Sequence, residues 1–193
     1  CSYISERISS QSHLGNGYVA ISQDNSVISS CSSGGVGFEI GRLLIEKGYK
    51  AVSVRYNPEE ARAEHFSCDS IEAFEQSKGS KYLQSFTTDA FRSLNKPGRY
   101  VVFGTPCQID SISRMVDLSK RREDFILVDF FCHGVPSYHL WDSYIAYMSG
   151  KHKMSRPINV LFRDKNYGPG KASWCMSLVS LDKKVFSSMR KDR

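Results

Sequence analysis

Two cysteines stand where this chain can place thiol chemistry. Cys107 lies in Gly104-Thr105-Pro106-Cys107-Gln108, and Cys132 opens Cys132-His133-Gly134-Val135-Pro136-Ser137. A cysteine just inside a helix N-terminus meets the positive end of the helix dipole, which favours thiolate. A buried structural cysteine in a tight turn would fit the same pattern. His133 beside Cys132 adds a general base, and a Cys107–His133 pair needs only spatial proximity to work as nucleophile and base. A second chemistry is suggested by Ser29-Ser30-Cys31-Ser32-Ser33-Gly34-Gly35-Val36-Gly37. Small residues ahead of a helix turn hydroxyls and unpaired amides toward an anion, or simply cap the helix with a flexible lead-in. Lys81, in the polar loop Lys78 to Ser85, adds a positive charge.

These residues need elements to position them. Tyr100-Val101-Val102-Phe103 has the composition of a buried strand, and Ile109, Ile112, Met115 and Val116 recur at helical spacing. Gly104 lets backbone approach a ligand, and Pro106 starts a helix without wasting an amide hydrogen. Phe125 to Phe131 is an almost continuous apolar run, the pattern of a strand covered on both faces. Ser137 then caps a helix carrying Leu140, Tyr144, Ile145 and Met148. Two strand–turn–helix units in succession favour right-handed crossovers and parallel neighbours, with both cysteines opening at one sheet edge into a shared pocket.

The remaining segments complete the pattern. Strands are expected at 17–22, 51–56 and 64–67, with a short return strand at Val27-Ile28. A helix runs from Val36 through Leu44 to a Lys47-Gly48 cap, another follows an Asp69 cap through Phe74, and a third follows Thr87-Thr88-Asp89. The tail resembles antiparallel strands at 158–165 and 173–180, with a loop at 166–170 and a turn into Val185-Phe186. The expected fold is α/β, a mainly parallel central sheet flanked by helices with a small antiparallel C-terminal appendage. The expected boundaries are 1–16 as a linker from an upstream segment, 17–150 as the core and 151–193 as a truncated appendage.

Composition narrows the function classes. Six cysteines at 1, 31, 68, 107, 132 and 175 are widely spaced with no CxxC, and the first residues carry no secretory h-region. A disulfide framework is therefore not expected, whereas a cytoplasmic metal or redox role is. A net charge of +6 over 193 residues comes without interleaved aromatics, so nucleic acid is not an expected partner. No apolar run approaches the eighteen residues or so of a membrane span.

Five motifs together resemble the coenzyme F420 hydrogenase/dehydrogenase beta-subunit family, in its C-terminal flavoprotein domain. They are Ser32-Ser33-Gly34-Gly35, Gly79-Ser80-Lys81-Tyr82-Leu83-Gln84-Ser85, Gly104-Thr105-Pro106-Cys107-Gln108, Cys132-His133-Gly134-Val135-Pro136-Ser137 and Phe162-Arg163-Asp164-Lys165. They occur in the family's order across roughly residues 17 to 190.

The resemblance implies an oxidoreductase that passes electrons between an iron–sulfur cluster and a two-electron carrier or substrate. It implies FAD near Ser32, Ser33, Gly34 and Gly35 and near Lys81, Tyr82, Gln84 and Ser85, with Gly104, Thr105 and His133 also at the cofactor. It further implies a [4Fe–4S] cluster drawing on Cys107 and Cys132, and a redox partner protein or ferredoxin-like domain beside a small-molecule electron acceptor. Two departures stand out. The ferredoxin-like CxxC segment that usually precedes the domain is missing, and so is the later CxxC. A cubane needs four thiolates, so the ligand set is incomplete and the chain is expected to be inactive alone. The alternatives are a non-redox cysteine enzyme using Cys107 and His133, and a binding domain without cofactors.

Overall fold

The computed structural model describes residues 16–165, 175–182 and 184–188. The expected loop at 166–170, the start of the expected strand at 173–174, and most of the expected linker at 1–16 lie outside them.

The centre is a strand with no exposed residue. β4 (Tyr100–Gly104) is buried along its whole length. Its alternating side chains feed two cores, as the two-residue strand period requires. Val101 and Phe103 face Phe38, Ile45 and Phe74 on one side. Tyr100 and Val102 face Leu94, Ile112 and Val116 on the other. The first core is covered by α2 (Val36–Glu46) and α3 (Ile71–Phe74), the second by α4 (Thr88–Ser93) and α5 (Pro106–Leu118). Tyr100 keeps its hydroxyl satisfied by donating to the carbonyls of Ser93 and Lys96, each at 3.1 Å.

The sheet has the order β3-β2-β1-β4-β5, with β1 (Lys50–Asn57), β2 (Arg62–Cys68), β3 (Ser85–Phe86) and β5 (Phe125–Asp129). Only the β1–β2 hairpin is antiparallel; β2–β3, β1–β4 and β4–β5 are parallel. The expected mainly parallel sheet is borne out, with β4 and β5 adjacent and Gly104 paired with Asp129 at their carboxyl ends. Pairing of β1 with β4 ends at Val52, so the second half of β1 leans away with β2.

The small C-terminal sheet is antiparallel, as expected, with the order β6 (Asn159–Leu161), β7 (Cys175–Val179) and β8 (Lys184–Ser188). It packs on α6 (Tyr138–His152), whose Trp141, Ile145 and Met148 share a core with Val160, Phe162, Met176 and Leu178. Trp141 Nε1 donates to Ala61 O at 2.6 Å, fastening α6 to the β1–β2 turn.

Four local expectations are corrected. Residues 16–22 form no strand; Ser22 instead ties the segment to the turn before α2 and to the helix's first turn, its N donating to Gly34 O at 2.8 Å and its Oγ to Glu39 Oε1 at 2.6 Å. Val27-Ile28 is not a return strand but part of α1 (Asn25–Ser30), because Asp24 Oδ1 accepts from Ser26 N at 2.8 Å and caps it. The cap of α3 is Ser70 rather than Asp69; its Oγ accepts from Ala73 N at 3.2 Å. The run ending at Phe131 leaves the sheet at Asp129. β5 is an edge strand whose Phe125 and Leu127 pack on one core and Ile126 and Val128 on the other, so the run is covered on both faces only as far as Val128. Phe130 and Phe131 are accordingly 54% and 98% exposed.

Candidate functional site

The Ser-rich turn, the lysine loop and the tail converge on one cleft. Its volume is about 310 Å³, at the small end of ligand pockets. Ser30, Ser32, Arg55, Lys78, Lys81 and Arg163 are among the residues that line it. Ser32 Oγ accepts from Ser80 N at 2.7 Å, tying the turn before α2 to the loop 48 residues later. From the turn after β6, Lys165 Nζ donates to Ile28 O at 2.8 Å and Ser33 O at 3.2 Å. That strap is oriented from behind by Asp164, a 2%-exposed carboxylate that accepts from Ser177 Oγ at 2.6 Å and pairs with Lys184 Nζ at 2.7 Å.

Lys81 enters the cleft wall in a specific way. Its ammonium donates to the carbonyls of Gln76, Ser77 and Lys78 at 3.0, 2.9 and 2.8 Å. All three protons therefore close the C-terminal end of the 3-10 turn Glu75–Ser77. Burial pulls Lys81 from 10.5 down to about 7, with the Cys31 charge acting the other way. Burial pushes the Cys31 thiol up, against the charges of Lys78 and Lys165. Lys78 reaches Glu75 at 2.6 Å and lies over the Phe38 ring at 4.1 Å.

Other sequence-derived residues take different places. Gly35 has φ of +79° as the N-cap of α2, and a Cβ there would sit 2.7 Å from Val27 Cγ1. Gly34 accepts from Ser22 N at 2.8 Å through its carbonyl. The first turn of α2 carries Glu39, which accepts from Ser22 Oγ at 2.6 Å and pairs with Arg42. A carboxylate thus already stands at the helix terminus expected to cradle an anion. Tyr82 packs edge-on against Phe162 with centroids 6.0 Å apart, and Gln84 is exposed. Neither residue lines the cleft.

At the carboxyl end of β4, the same end of the sheet as Arg55 and Tyr56 of the parallel β1, Ser85 accepts through Oγ from Gln108 Nε2 at 3.0 Å, and Gln108 Oε1 accepts from Thr105 N at 2.9 Å. This joins β3 to the start of α5. A Cβ on Gly104 would crowd the Gln108 side chain at 3.2–3.3 Å, which gives that glycine a packing reason. Cys107 is exposed in the first turn of α5, with Thr105 Oγ1 3.2 Å from its Sγ. Cys132 is half-buried, and Gly134 N donates to its Sγ at 3.4 Å. His133 lies exposed in the same loop. Each cysteine follows its strand's last residue by three positions, Gly104 to Cys107 and Asp129 to Cys132, and those strand ends pair in register. Both cysteines therefore emerge at the same carboxyl edge. Neither lines the cleft, and among the described residues no group of three or more His, Cys, Asp or Glu side chains converges on a metal position.

Arg55 went unnoticed at the level of sequence, because a single arginine inside a strand carries no motif. Its guanidinium lies over the Phe66 ring at 5.0 Å, with Nε 2.9 Å from Glu64 Oε1. The antiparallel register that pairs Arg55 with Glu64 is the signal that would have found it.

Comparison with known proteins follows the same lines. Residues 98–165 match the family model for the C terminus of the coenzyme F420 hydrogenase/dehydrogenase beta subunit, so the resemblance read from the motifs is borne out. No curated protein matches the sequence. A chain of the F420-reducing [NiFe] hydrogenase complex from Methanosarcina barkeri superimposes with a TM-score of 0.59 at 15% identity, over 88% of this chain and 58% of that one. The likeness at that identity is one of fold. The chain thus spans little more than half the length of that relative.

Proposed function

Because residues 98–165 belong to the family of coenzyme F420 hydrogenase/dehydrogenase beta subunits, we propose that this chain is the flavin-binding module of an electron-transferring oxidoreductase. The observation that carries the reading is the donor-rich cleft. Arg55, Lys78 and Arg163 stand around it with the hydroxyl of Ser32, whose own proton has no acceptor among the described residues, while Lys81 lines it with its donors turned to backbone carbonyls. One acid, Glu75, lines it, and that acid is paired with Lys78. Such a donor set fits the anionic diphosphate and ribityl part of FAD.

When bound, FAD would supply the conversion between paired and single electrons. The chain's own residues bind and orient. Ser32 and the loop from Gly79 to Lys81 hold one wall, and the field of the cations stabilises a phosphate against it. The strap from Lys165 to Ile28 and Ser33 fastens the segment after β6 to the Ser-rich turn beside the cleft.

The iron–sulfur cluster is a different case. Two cysteines at one edge are half of the four thiolates a cubane takes, and the described residues alone do not make the site. We assign Cys107 and Cys132 as two ligands completed from outside these residues, and derive no step through the cluster. The exposed Phe130, Phe131 and Val135 flanking Cys132 suit a redox partner or ferredoxin-like domain docked there. The two-electron carrier on the other side is F420 or another small acceptor. No helix among the described residues is long and apolar enough to cross a membrane.

The deciding experiment is reconstitution of the full-length protein with FAD, iron and sulfide. Flavin absorbance that persists through gel filtration supports the reading. A colourless protein with iodoacetamide-sensitive turnover would overturn it in favour of Cys107 as a nucleophile.

A further inference from the structure

We infer that Arg55 is the residue that grips the diphosphate of a nucleotide in this cleft, and that Glu64 is its positioning residue. The inference rests on the flavin reading for the identity of the nucleotide, but not for the anion chemistry.

Arg55 sits in the half of β1 that no longer pairs with β4, and it lines the cleft. Its guanidinium has five N–H donors in a fixed fork. Nε and Nη2 both reach Glu64 Oε1 at 2.9 Å, and Nη1 donates to Gln76 Oε1 at 3.3 Å. Two donors, one on each terminal nitrogen, therefore remain without a partner among the described residues. They sit on neighbouring nitrogens, as bidentate recognition of phosphate requires. The side chain is 37% exposed, so this edge is reachable, while the Phe66 ring supports its face at 5.0 Å.

Glu64 acts from behind. It does not line the cleft, and its side chain is 13% exposed. Burial pushes its carboxyl up, but hydrogen bonds from Asn57 and Arg55 and the charges of Arg55 and Arg62 outweigh that and hold it below the usual value. Asn57 Nδ2 donates to Oε2 at 2.9 Å, which leaves Oε1 for Arg55. The carboxylate therefore stays ionised and fixes the guanidinium plane. A flexible lysine at position 55 would carry the charge without the fork. The α2 terminus is a poorer place for a phosphate, because Glu39 already puts a carboxylate in its first turn.

The test uses full-length protein stripped of bound flavin and titrated separately with FAD, riboflavin and ADP. The variants are Arg55→Gln, Arg55→Lys and Glu64→Gln, each checked for folding by circular dichroism. For R55Q, FAD and ADP affinity should fall roughly tenfold to a hundredfold, the scale of lost charged hydrogen bonds, while riboflavin affinity changes less than twofold. R55K should recover part of the loss. E64Q should weaken FAD and ADP but not riboflavin, a selectivity that general destabilisation would not produce. Equal loss for FAD and riboflavin, or no loss of ADP binding, overturns the assignment. If the wild type binds ADP but no flavin, and R55Q abolishes it, the grip stands and the flavin reading falls. If the wild type binds none of the three, both fall.

Discussion

Ser80 N donates to Ser32 Oγ at 2.7 Å, and this bond turns two distant polar stretches into one wall of the cleft. Replacing Ser32 by Ala leaves the Ser80 amide without its partner. One net hydrogen bond is worth about 1 kcal/mol, so the fold should survive with a small drop in Tm. Flavin retained after gel filtration should fall further than that drop explains, because the same hydroxyl lines the cleft proposed to take it. Parallel melting curves and flavin-to-protein ratios would show whether the two losses separate.

The glycines of the Ser-Gly-Gly turn should behave unequally. At Gly35, φ of +79° and the Val27 methyl oppose any Cβ, whereas at Gly34 the nearest atoms would lie at 3.3–3.4 Å. Gly35→Ala should therefore cost about 1–3 kcal/mol even with no flavin present. Gly34→Ala should cost less. Urea unfolding of the flavin-free protein measures both, and equal midpoints would contradict the packing argument.

His65 gives the fold a defined acid limit. It is 5% exposed, its Nε2 lies 3.2 Å from Phe103 O, and its buried Nδ1 has no partner. Burial lowers its pKa from 6.5 to about 4, the Phe103 carbonyl acting the other way. Between those values the unfolded chain binds more protons than the folded one, so stability is full above pH 6.5 and falls as pH drops toward 4. The difference corresponds to about 3 kcal/mol at most. Unfolding midpoints at about pH 7.5, above that window, and about pH 4.5, near its lower end, should differ by more in the wild type than in His65→Gln.

The strands were the most legible part of the fold, because β4 and β5 announce themselves by unbroken apolar runs and their order follows from right-handed crossovers. The false strand at 17–22 shows the limit. Tyr18, Val19 and Ile21 have strand composition, yet composition does not decide whether a segment pairs, and all three remain exposed outside any strand. The site was legible where several small residues cluster, as at Ser32 and Lys81. It was not legible at Arg55, whose position depends on a cross-strand partner nine residues away, nor at Asp164, which acts through Ser177 and Lys184. Motif reading also assigned a single role to glycines such as Gly104, where a side chain, Gln108, already occupies the space.

The paired strand ends Gly104 and Asp129 set up the remaining prediction, which concerns the cysteines that follow them. Cys107 is exposed and Cys132 half-buried, so neither contributes much to the cores. Serine at either position should leave the melting temperature of the full-length protein nearly unchanged when no cluster is present. After reconstitution, both variants should lose iron and acid-labile sulfide together, while FAD stays bound in the cleft, whose lining includes neither cysteine. Cys175→Ser is the control. That thiol is buried at 2% exposure in the small sheet, so the substitution should lower stability and leave the iron content of the folded fraction unchanged. Wild-type iron in both C107S and C132S would remove the cluster assignment. Loss in only one of them would show that the common sheet edge does not place both thiols on one metal group.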